Sequence, residues 1–169
     1  ILTRTPYDKD NYGTRVDSLD PIRAAREGYA VVIQNVRGRY NSEGKFYTFM
    51  NEIEDGYDTV EWAATQPWST GKVGMHGGSY VGATQWLAAV SRPPHLAAIF
   101  PSITSHDYHE GWTYQGGAFQ LNFALNWSLS LSLANLENLS RSLGDLAGEG
   151  KLLADARGEV KRAMNIIEY

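Results

Sequence analysis

The sequence of 169 residues contains no cysteine, which excludes disulfide bonds, thiol catalysis and metal sites built on thiolates. It also lacks an excess of basic residues, since 15 Lys and Arg stand against 19 Asp and Glu. A formal net charge of -4 argues against nucleic acid as a partner, because such binding depends on a basic face. No apolar run approaches the roughly 20 residues of a membrane-spanning helix, so we expect no membrane segment.

The first residues have neither an initiator Met nor the layout of a signal peptide. The length fits the prior of roughly 150 residues for one domain. However, the chain begins on what looks like the end of a strand and stops without a helix cap, so we expect it to be a piece of a longer protein. The compartment stays open, with the cytoplasm slightly favoured.

The apolar pattern of the first hundred residues predicts alternating helices and strands. Asp20, Pro21 and Gly28 are the start and stop signals of a short helix over residues 17–27. Helical spacing occurs over residues 51–66 and 80–91, and short β-branched or apolar runs occur over residues 29–35, 72–76 and 96–100. The strand at 29–35 is apolar on both faces, which is typical of a strand covered on both sides. We therefore expect an α/β fold with a mostly parallel sheet.

Two segments of the last third have a less uniform pattern. From Leu121 to Leu133 every odd position is apolar, which is the period of a strand. The Asn, Ser and Ala residues between them are also compatible with a helix, so both structures stay open. Residues 151–167 are amphipathic and predict a helix.

The segment most informative about function is KVGMHGGSYVGATQWLAAV, residues 72–90. It predicts a strand, a sharp turn at Ser79 and a helix, which is how a nucleophilic serine is presented at the carboxyl end of a sheet. The pattern departs from the common G-x-S-x-G, because Val81 occupies the position of the second glycine and Gly82 follows it. The structural alternative is a glycine-rich turn with a solvated serine.

Four segments together resemble a known family. They are TRTPYDK (3–9), GYAVVIQNVRG (28–38) followed by SEG (42–44), GMHGGSYVG (74–82) and WTYQGGAF (112–119). In this order and spacing they are similar to the X-prolyl dipeptidyl-peptidase and cocaine esterase family of α/β-hydrolases, which includes α-amino acid ester hydrolases. The residues after about 135 match no segment of that family that we can place.

The resemblance implies a fold and a reaction. It implies the N-terminal part of an α/β-hydrolase core over residues 1–103 and the start of a helical cap over residues 104–169, with a helix over residues 118–139. The implied reaction is hydrolysis of an acyl ester or an X-Pro peptide through an acyl-enzyme on Ser79, without metal or organic cofactor. The expected partner is a small ester or a short peptide, and a homo-oligomer is left open.

The resemblance also implies roles for individual residues. Ser79 would be the nucleophile, Tyr80 would donate its backbone N–H to the oxyanion, and Tyr7 would donate its hydroxyl. Without the family, Tyr7 would be an ordinary loop aromatic after Pro6. A hydroxyl that donates to the negative oxygen of the tetrahedral intermediate lowers the barrier of the reaction, because that charge is absent from the bound substrate.

The loop that follows the last predicted strand supplies candidates for substrate contact. Trp112 and Tyr114 are predicted walls of an acyl pocket, and Asp107 or Glu110 could receive a substrate ammonium group. The alternative is a polar loop with structural aromatics.

The catalytic base is expected elsewhere. The family places its Asp and His downstream, so none of the four histidines (His76, His95, His106 and His109) is assigned as the base. Arg37 is expected to form an ion pair or to bind carbonyls, and Asp55 and Asp58 are interpreted as a solvated acidic face near a helix N-terminus. Because the triad is incomplete, the alternative function is a catalytically silent α/β-hydrolase-like binding module.

Overall fold

A computed structural model describes residues 1–11, 19–143 and 149–167, with only the backbone described for residues 140–143, 149, 166 and 167. The chain divides into two compact units, Ile1–His106 and Asp107–Tyr169.

The first unit is built on a four-stranded parallel sheet. Its strands are β1 (Leu2–Thr5), β2 (Val32–Asn35), β3 (Val73–Gly78) and β4 (Leu96–Ser102), in the spatial order β2-β1-β3-β4. Its helices are α1 (Pro21–Arg26), α2 (Glu52–Ala64) and α3 (Tyr80–Val90). The predicted α/β fold with a parallel sheet is confirmed.

Local signals place these helices close to their predicted bounds. Asp20 caps α1, because its carboxylate accepts hydrogen bonds from the backbone N–H groups of Ile22 (2.9 Å) and Arg23 (3.1 Å). The first two residues of the predicted helix 17–27 lie outside the described residues. Helix α2 ends three residues before Pro67, as the sequence predicts.

The second unit contains a small hairpin and two long helices. Strands β5 (Tyr114–Gln115) and β6 (Ala118–Phe119) pair in antiparallel fashion, and α4 (Leu121–Leu143) contacts α5 (Glu149–Ile167). The strand alternative for residues 121–133 is wrong. The alternating apolar residues are distributed around the helix, so that Leu121 and Leu125 are exposed whereas Leu131 is buried.

The core of the first unit lies between the sheet and helices α2 and α3. It is formed by small and medium apolar side chains, namely Leu2, Val60, Ala63, Ala64, Val73, Met75 and Ala88. Helix α3 contacts β1, β3 and β4 as well as α2, so it spans the centre of the sheet. This packing fixes the helix that follows Ser79 against the strands that carry the candidate site.

The two core helices approach each other most closely at Gly56. A Cβ atom on Gly56 would lie 2.7 Å from the Cβ and 3.0 Å from the Cα of Ala88. Because these are atoms of short, rigid groups, Gly56→Ala requires the helices to move apart. We expect the substitution to destabilise the protein by about 1–3 kcal/mol, as overpacking of a core does. Thermal unfolding of the full-length protein measures the effect.

Gly158 in α5 is the matched control for Gly56. A Cβ atom there would meet only the flexible Arg162 side chain, at 3.6 Å. Gly158→Ala should therefore leave the stability unchanged or raise it by up to about 1 kcal/mol through helix propensity. Equal unfolding temperatures for Gly56→Ala and the wild type would contradict the close packing of α2 on α3.

Candidate active site

Ser79 lies in the one-residue turn between β3 and α3. Its backbone has φ 55° and ψ -124°, a conformation that is strained for a residue with a side chain. Hydrogen bonds hold it there: the Ser79 N–H donates to the carbonyl of Ser102 (2.9 Å), and the Ser79 carbonyl accepts from the N–H groups of Gly82 and Ala83 (both 3.0 Å). This is the geometry of a nucleophile elbow at the carboxyl end of a central strand.

Two glycines make the elbow sterically feasible. A Cβ atom on Gly77 would lie 2.8 Å from the Cβ of Val81 and closer still to its Cγ1. A Cβ atom on Gly82 would lie 2.7 Å from the Cγ2 of Thr104 and 3.1 Å from the carbonyl oxygen of Ser102. Val81 can therefore replace the usual second glycine of the motif, because Gly82 takes the close approach to β4 and Gly77 leaves room for the valine.

A buried glutamine ties the elbow to the sheet. The Gln85 side-chain N–H₂ donates to the carbonyls of Gly77 (3.1 Å) and Val81 (3.0 Å), and its Oε1 accepts from the N–H of Phe100 (2.9 Å). The neighbouring Thr84 hydroxyl donates to the carbonyl of Arg4 (3.1 Å). Neither role is predicted above from the sequence, although two polar residues inside an apolar helix are a usable signal.

Tyr7 follows the carboxyl end of β1, the strand adjacent to β3. Its carbonyl accepts a hydrogen bond from the Asn35 side chain (2.5 Å), and its N–H donates to the Thr5 hydroxyl (3.1 Å). The carbonyl of the preceding Pro6 accepts from Nε of Arg39 (2.7 Å). Because β1 and β3 are parallel, Tyr7 and Ser79 both lie at the carboxyl end of the sheet.

Arg39 is an unexpected buried cation beneath this edge. Its guanidinium lies 5.2 Å from the ring centroids of Tyr40 and Phe46, which are favourable cation–π distances. Burial lowers the pKa of Arg39 below its ordinary value, yet an arginine stays charged at physiological pH. The residue therefore clamps the chain just before Tyr7 with a charged hydrogen bond.

The side chain of Tyr80 points into the core and is completely buried. Its hydroxyl donates to Oε1 of Glu52 (2.9 Å) and accepts from the N–H of Phe49 (3.1 Å). Oε2 of Glu52 accepts from Arg4 at 2.7 Å. Burial raises the pKa of the Tyr80 phenol and also that of the Glu52 carboxyl, although Arg4 opposes the latter rise.

The interpretation of Asp55 as part of a solvated face is wrong. Both of its carboxylate oxygens accept hydrogen bonds from Arg37, with 2.9 Å between Oδ2 and Nε of Arg37, and its side chain is only 14% exposed. The expected ion pair of Arg37 is therefore present. Asp58 is exposed, as predicted. Helical spacing showed the helix but not the arginines that face its first turn.

Two histidines of the first unit, His76 and His95, contact side chains other than Ser79. Nε2 of His76 lies 2.8 Å from the hydroxyl of Thr3, and Nδ1 of His95 lies 2.7 Å from Oε2 of Glu61. His95 precedes β4, so it lies at the amino end of the parallel strands, whereas Ser79 lies at their carboxyl end. These contacts agree with the expectation that neither residue is the base.

The predicted substrate-contacting residues lie in the second unit. Trp112 packs edge-on against Tyr108, Phe123 and Trp127, with centroids 5.8–6.4 Å apart. Tyr114 stacks on His109 at 4.4 Å. These contacts show that both aromatics belong to ring clusters, and their role in an acyl pocket stays a prediction.

The two predicted acidic residues shape the loop that carries them. Oδ1 of Asp107 accepts from the N–H groups of His109 (2.8 Å) and Glu110 (3.3 Å), and Oε1 of Glu110 accepts from the N–H of Gly116 (2.7 Å). Their role toward a substrate ammonium group stays a prediction. Among the side chains that the structure describes, no group of three or more His, Asp or Glu residues could hold a metal ion.

The chain matches one protein family over nearly its whole length. The family model described as X-Pro dipeptidyl-peptidase (S15 family) matches residues 1–166. The chain belongs to this family. The match extends well beyond residue 135, so the residues after about 135, for which the sequence alone indicates no family segment, are part of the family region.

Individual members of the S15 family and its structural neighbours are hydrolases. The cocaine esterase of Rhodococcus sp. (strain MB1 Bresler) is 38% identical over 168 residues, which are 98% of this chain and 29% of that protein. A CocE/NonD family hydrolase from Staphylococcus aureus superposes with a TM-score of 0.72 at 29% identity, covering 81% of this chain and 28% of its own.

An aminopeptidase from the marine sediment archaeon Thaumarchaeota archaeon superposes with a TM-score of 0.60 at 31% identity, covering 77% of this chain and 25% of its own. The chain thus spans less than a third of the cocaine esterase, of the Staphylococcus aureus hydrolase and of the aminopeptidase. The α/β-hydrolase fold and membership of a hydrolase family are thereby confirmed. No helix in the described ranges is both long and apolar enough to cross a membrane.

Proposed function

We propose that the full-length protein is a serine hydrolase that cleaves an ester or amide bond through an acyl-enzyme formed on Ser79. The observation that carries this proposal is the backbone of Ser79, held at φ 55° between β3 and α3 by three hydrogen bonds. Strain of this kind persists only where the surroundings impose it, and it is typical of residues that act in catalysis.

The proposed reaction has two halves. The hydroxyl of Ser79 loses its proton to a base as its oxygen attacks the carbonyl carbon of the substrate, and the tetrahedral intermediate collapses to the acyl-enzyme with loss of an alcohol or amine. Water then attacks the acyl group, releases the acid and restores Ser79. The family resemblance places the catalytic Asp and His in later segments, and His76 and His95 contact Thr3 and Glu61. We therefore propose that the base comes from another part of the full-length protein.

The oxyanion would be stabilised from two strands. The N–H of Tyr80 lies at the first position of α3, directly after Ser79, where the helix dipole favours a negative charge. The hydroxyl of Tyr7 would be the second donor, and the hydrogen bonds from Asn35 and Arg39 to the backbone around Tyr7 support it by fixing that segment. Such preorganised donors are effective because they need no reorganisation during the reaction.

The substrate class follows from the relatives only in outline. The names of the relatives include a cocaine esterase and an aminopeptidase, so both acyl esters and short peptides such as X-Pro peptides remain proposed substrates. Trp112 and Tyr114 would line the acyl pocket. Asp107 or Glu110 would share its carboxylate between the loop N–H groups and a substrate ammonium group.

The test is covalent labelling of the full-length protein with a fluorophosphonate, followed by mass spectrometry of the labelled peptide. We expect a single adduct on Ser79, because the reagent traps activated serines. Ser79→Ala should abolish the label. Ser91→Ala is the matched control, since Ser91 lies at the other end of α3 and its hydroxyl donates to the carbonyl of Ala88.

Two results would contradict the proposal. The first is equal labelling of the wild type and Ser79→Ala, which would place the reactive group elsewhere. The second is a folded wild type without any adduct, which would favour the alternative of a catalytically silent binding module.

A further inference from the structure

A buried polar network lies directly behind the candidate nucleophile. It joins Arg4 on β1, Glu52 at the first position of α2 and Tyr80 at the first position of α3, whose exposures are 1%, 3% and 0%. Glu52 is the central member, because one of its carboxylate oxygens accepts from Arg4 and the other from Tyr80. Nε of Arg4 also donates to Oε1 of Gln34 on β2 (2.8 Å).

The position of Glu52 in its helix does not account for its burial. An acidic residue in the first turn complements the helix dipole while it remains in water, as the exposed Glu54 does in the same turn. Taking a carboxylate and a guanidinium out of water is unfavourable, and apolar side chains of the same volume often serve stability as well or better. The buried pair therefore suggests a requirement for fixed geometry.

The geometry that Glu52 fixes is that of Tyr80. The hydroxyl of Tyr80 is held at one side by Glu52 and at the other by the N–H of Phe49, and its ring stacks on that of Phe49 with centroids 4.5 Å apart. Phe49 itself has a left-handed backbone with φ 64°. A side chain held along its whole length restricts rotation of the residue whose N–H adjoins Ser79.

The same carboxylate is connected to the second proposed oxyanion donor. Arg4 lies three residues before Tyr7, and the carbonyl of Arg4 accepts from Thr84 of α3. Glu52 thus contacts the strand that leads to Tyr7 and the residue that carries the other donor. A displacement of either element would change the separation of the two donors.

We infer that Glu52 is a positioning residue, which holds the backbone N–H of Tyr80 in register with Ser79 and Tyr7 through the Tyr80 hydroxyl. This inference rests on the proposed function, because it assigns the Tyr80 N–H to the oxyanion. It makes Glu52 neither an acid nor a base of the reaction.

The test compares Tyr80→Phe and Glu52→Gln in the full-length protein. Both variants keep the Tyr80 N–H. Tyr80→Phe removes the hydroxyl that Glu52 holds, and Glu52→Gln leaves a single side-chain oxygen where Arg4 and Tyr80 each have their own in the wild type. With p-nitrophenyl acetate we expect kcat to fall by about 10- to 100-fold, as misplacement by up to about 1 Å does, while KM stays nearly constant. The inhibition constant of phenylboronic acid, which forms a tetrahedral adduct with serine, should rise by the factor by which kcat/KM falls.

Glu61→Gln is the matched control. It removes a carboxylate of the same helix that lies 2.7 Å from His95 at the far edge of the sheet, so kcat and the boronate constant should remain at wild-type values. If Glu52→Gln fails to fold because the buried Arg4 loses its charged partner at 2.7 Å and keeps only Asp55 at 3.9 Å, Tyr80→Phe decides the question, since it preserves the Arg4–Glu52 pair.

The outcomes separate the inference from the function. Wild-type kcat and boronate affinity in Tyr80→Phe, together with normal fluorophosphonate labelling of Ser79, would overturn the inference alone. A wild type without a fluorophosphonate adduct would overturn the proposed function and the inference with it. A merely structural role of Glu52 would lower the unfolding temperature without changing the boronate affinity of the folded variant, which also overturns the inference.

Discussion

Replacing Ser79 with alanine should lower kcat of the full-length protein for an ester substrate by about 10⁶-fold, the loss seen when a serine hydrolase is deprived of its nucleophile. The fold should survive, because alanine has the same backbone preferences and the hydrogen bonds that hold residue 79 involve only its main chain. Initial rates with p-nitrophenyl acetate, measured at matched concentrations of folded protein, give the result.

A second substitution at the same position separates chemistry from backbone strain. Ser79→Gly should be equally inactive but more stable than Ser79→Ala, because glycine adopts a positive φ without steric conflict and the strain at such a position is about 1–3 kcal/mol. A higher unfolding temperature for Ser79→Ala than for Ser79→Gly would contradict the strained elbow. Residual activity of several per cent in Ser79→Ala would contradict the role of Ser79 as nucleophile.

Local sequence signals were sufficient for the parts of the fold that depend on neighbouring residues. Residues 72–90 predict a strand, a turn and a helix because a short strand-like run, the glycines and the helical spacing follow one another directly. The strand alternative for residues 121–133 shows the limit of this approach. A period of two identifies a strand only where one face is buried, whereas the odd positions here lie on several sides of α4.

The burial of the side chains around the site could not be predicted, because it depends on contacts between residues far apart in sequence. Glu52 belongs to an acidic helix start, which is common on protein surfaces. Its burial results from Arg4, which is 48 residues away in sequence and lies inside a buried strand. An arginine at an interior position of a short strand was a signal that a carboxylate must face it, but the sequence did not show which one.

The glycines likewise differ in whether the sequence alone reveals their role. Gly77 and Gly82 were recognised around Ser79 because they lie in one motif, and the structure gives each a specific steric partner. Gly56 belongs to no motif, and its partner Ala88 lies 32 residues away on another helix. Close approach between elements becomes visible only when the elements are placed in space.

Tyr7→Phe should lower kcat by about 10²–10³-fold, the usual effect of removing one oxyanion donor. KM should change little, because the hydroxyl meets full negative charge only in the tetrahedral intermediate. Tyr7→Phe keeps the backbone hydrogen bonds that fix residue 7 and its neighbour. Steady-state kinetics with an ester and inhibition by phenylboronic acid measure the two effects.

Tyr29→Phe is the matched control. Tyr29 is 58% exposed and precedes β2, so it lies at the amino end of the strands, away from Ser79 at their carboxyl end. It should leave kcat and boronate affinity unchanged. A fall in kcat/KM for Tyr7→Phe that arises from KM alone would show that the hydroxyl binds the substrate in its ground state. An unchanged kcat would show that Tyr7 is not an oxyanion donor. The N–H of Tyr80, whose hydroxyl donates to Glu52, would then be the remaining proposed donor.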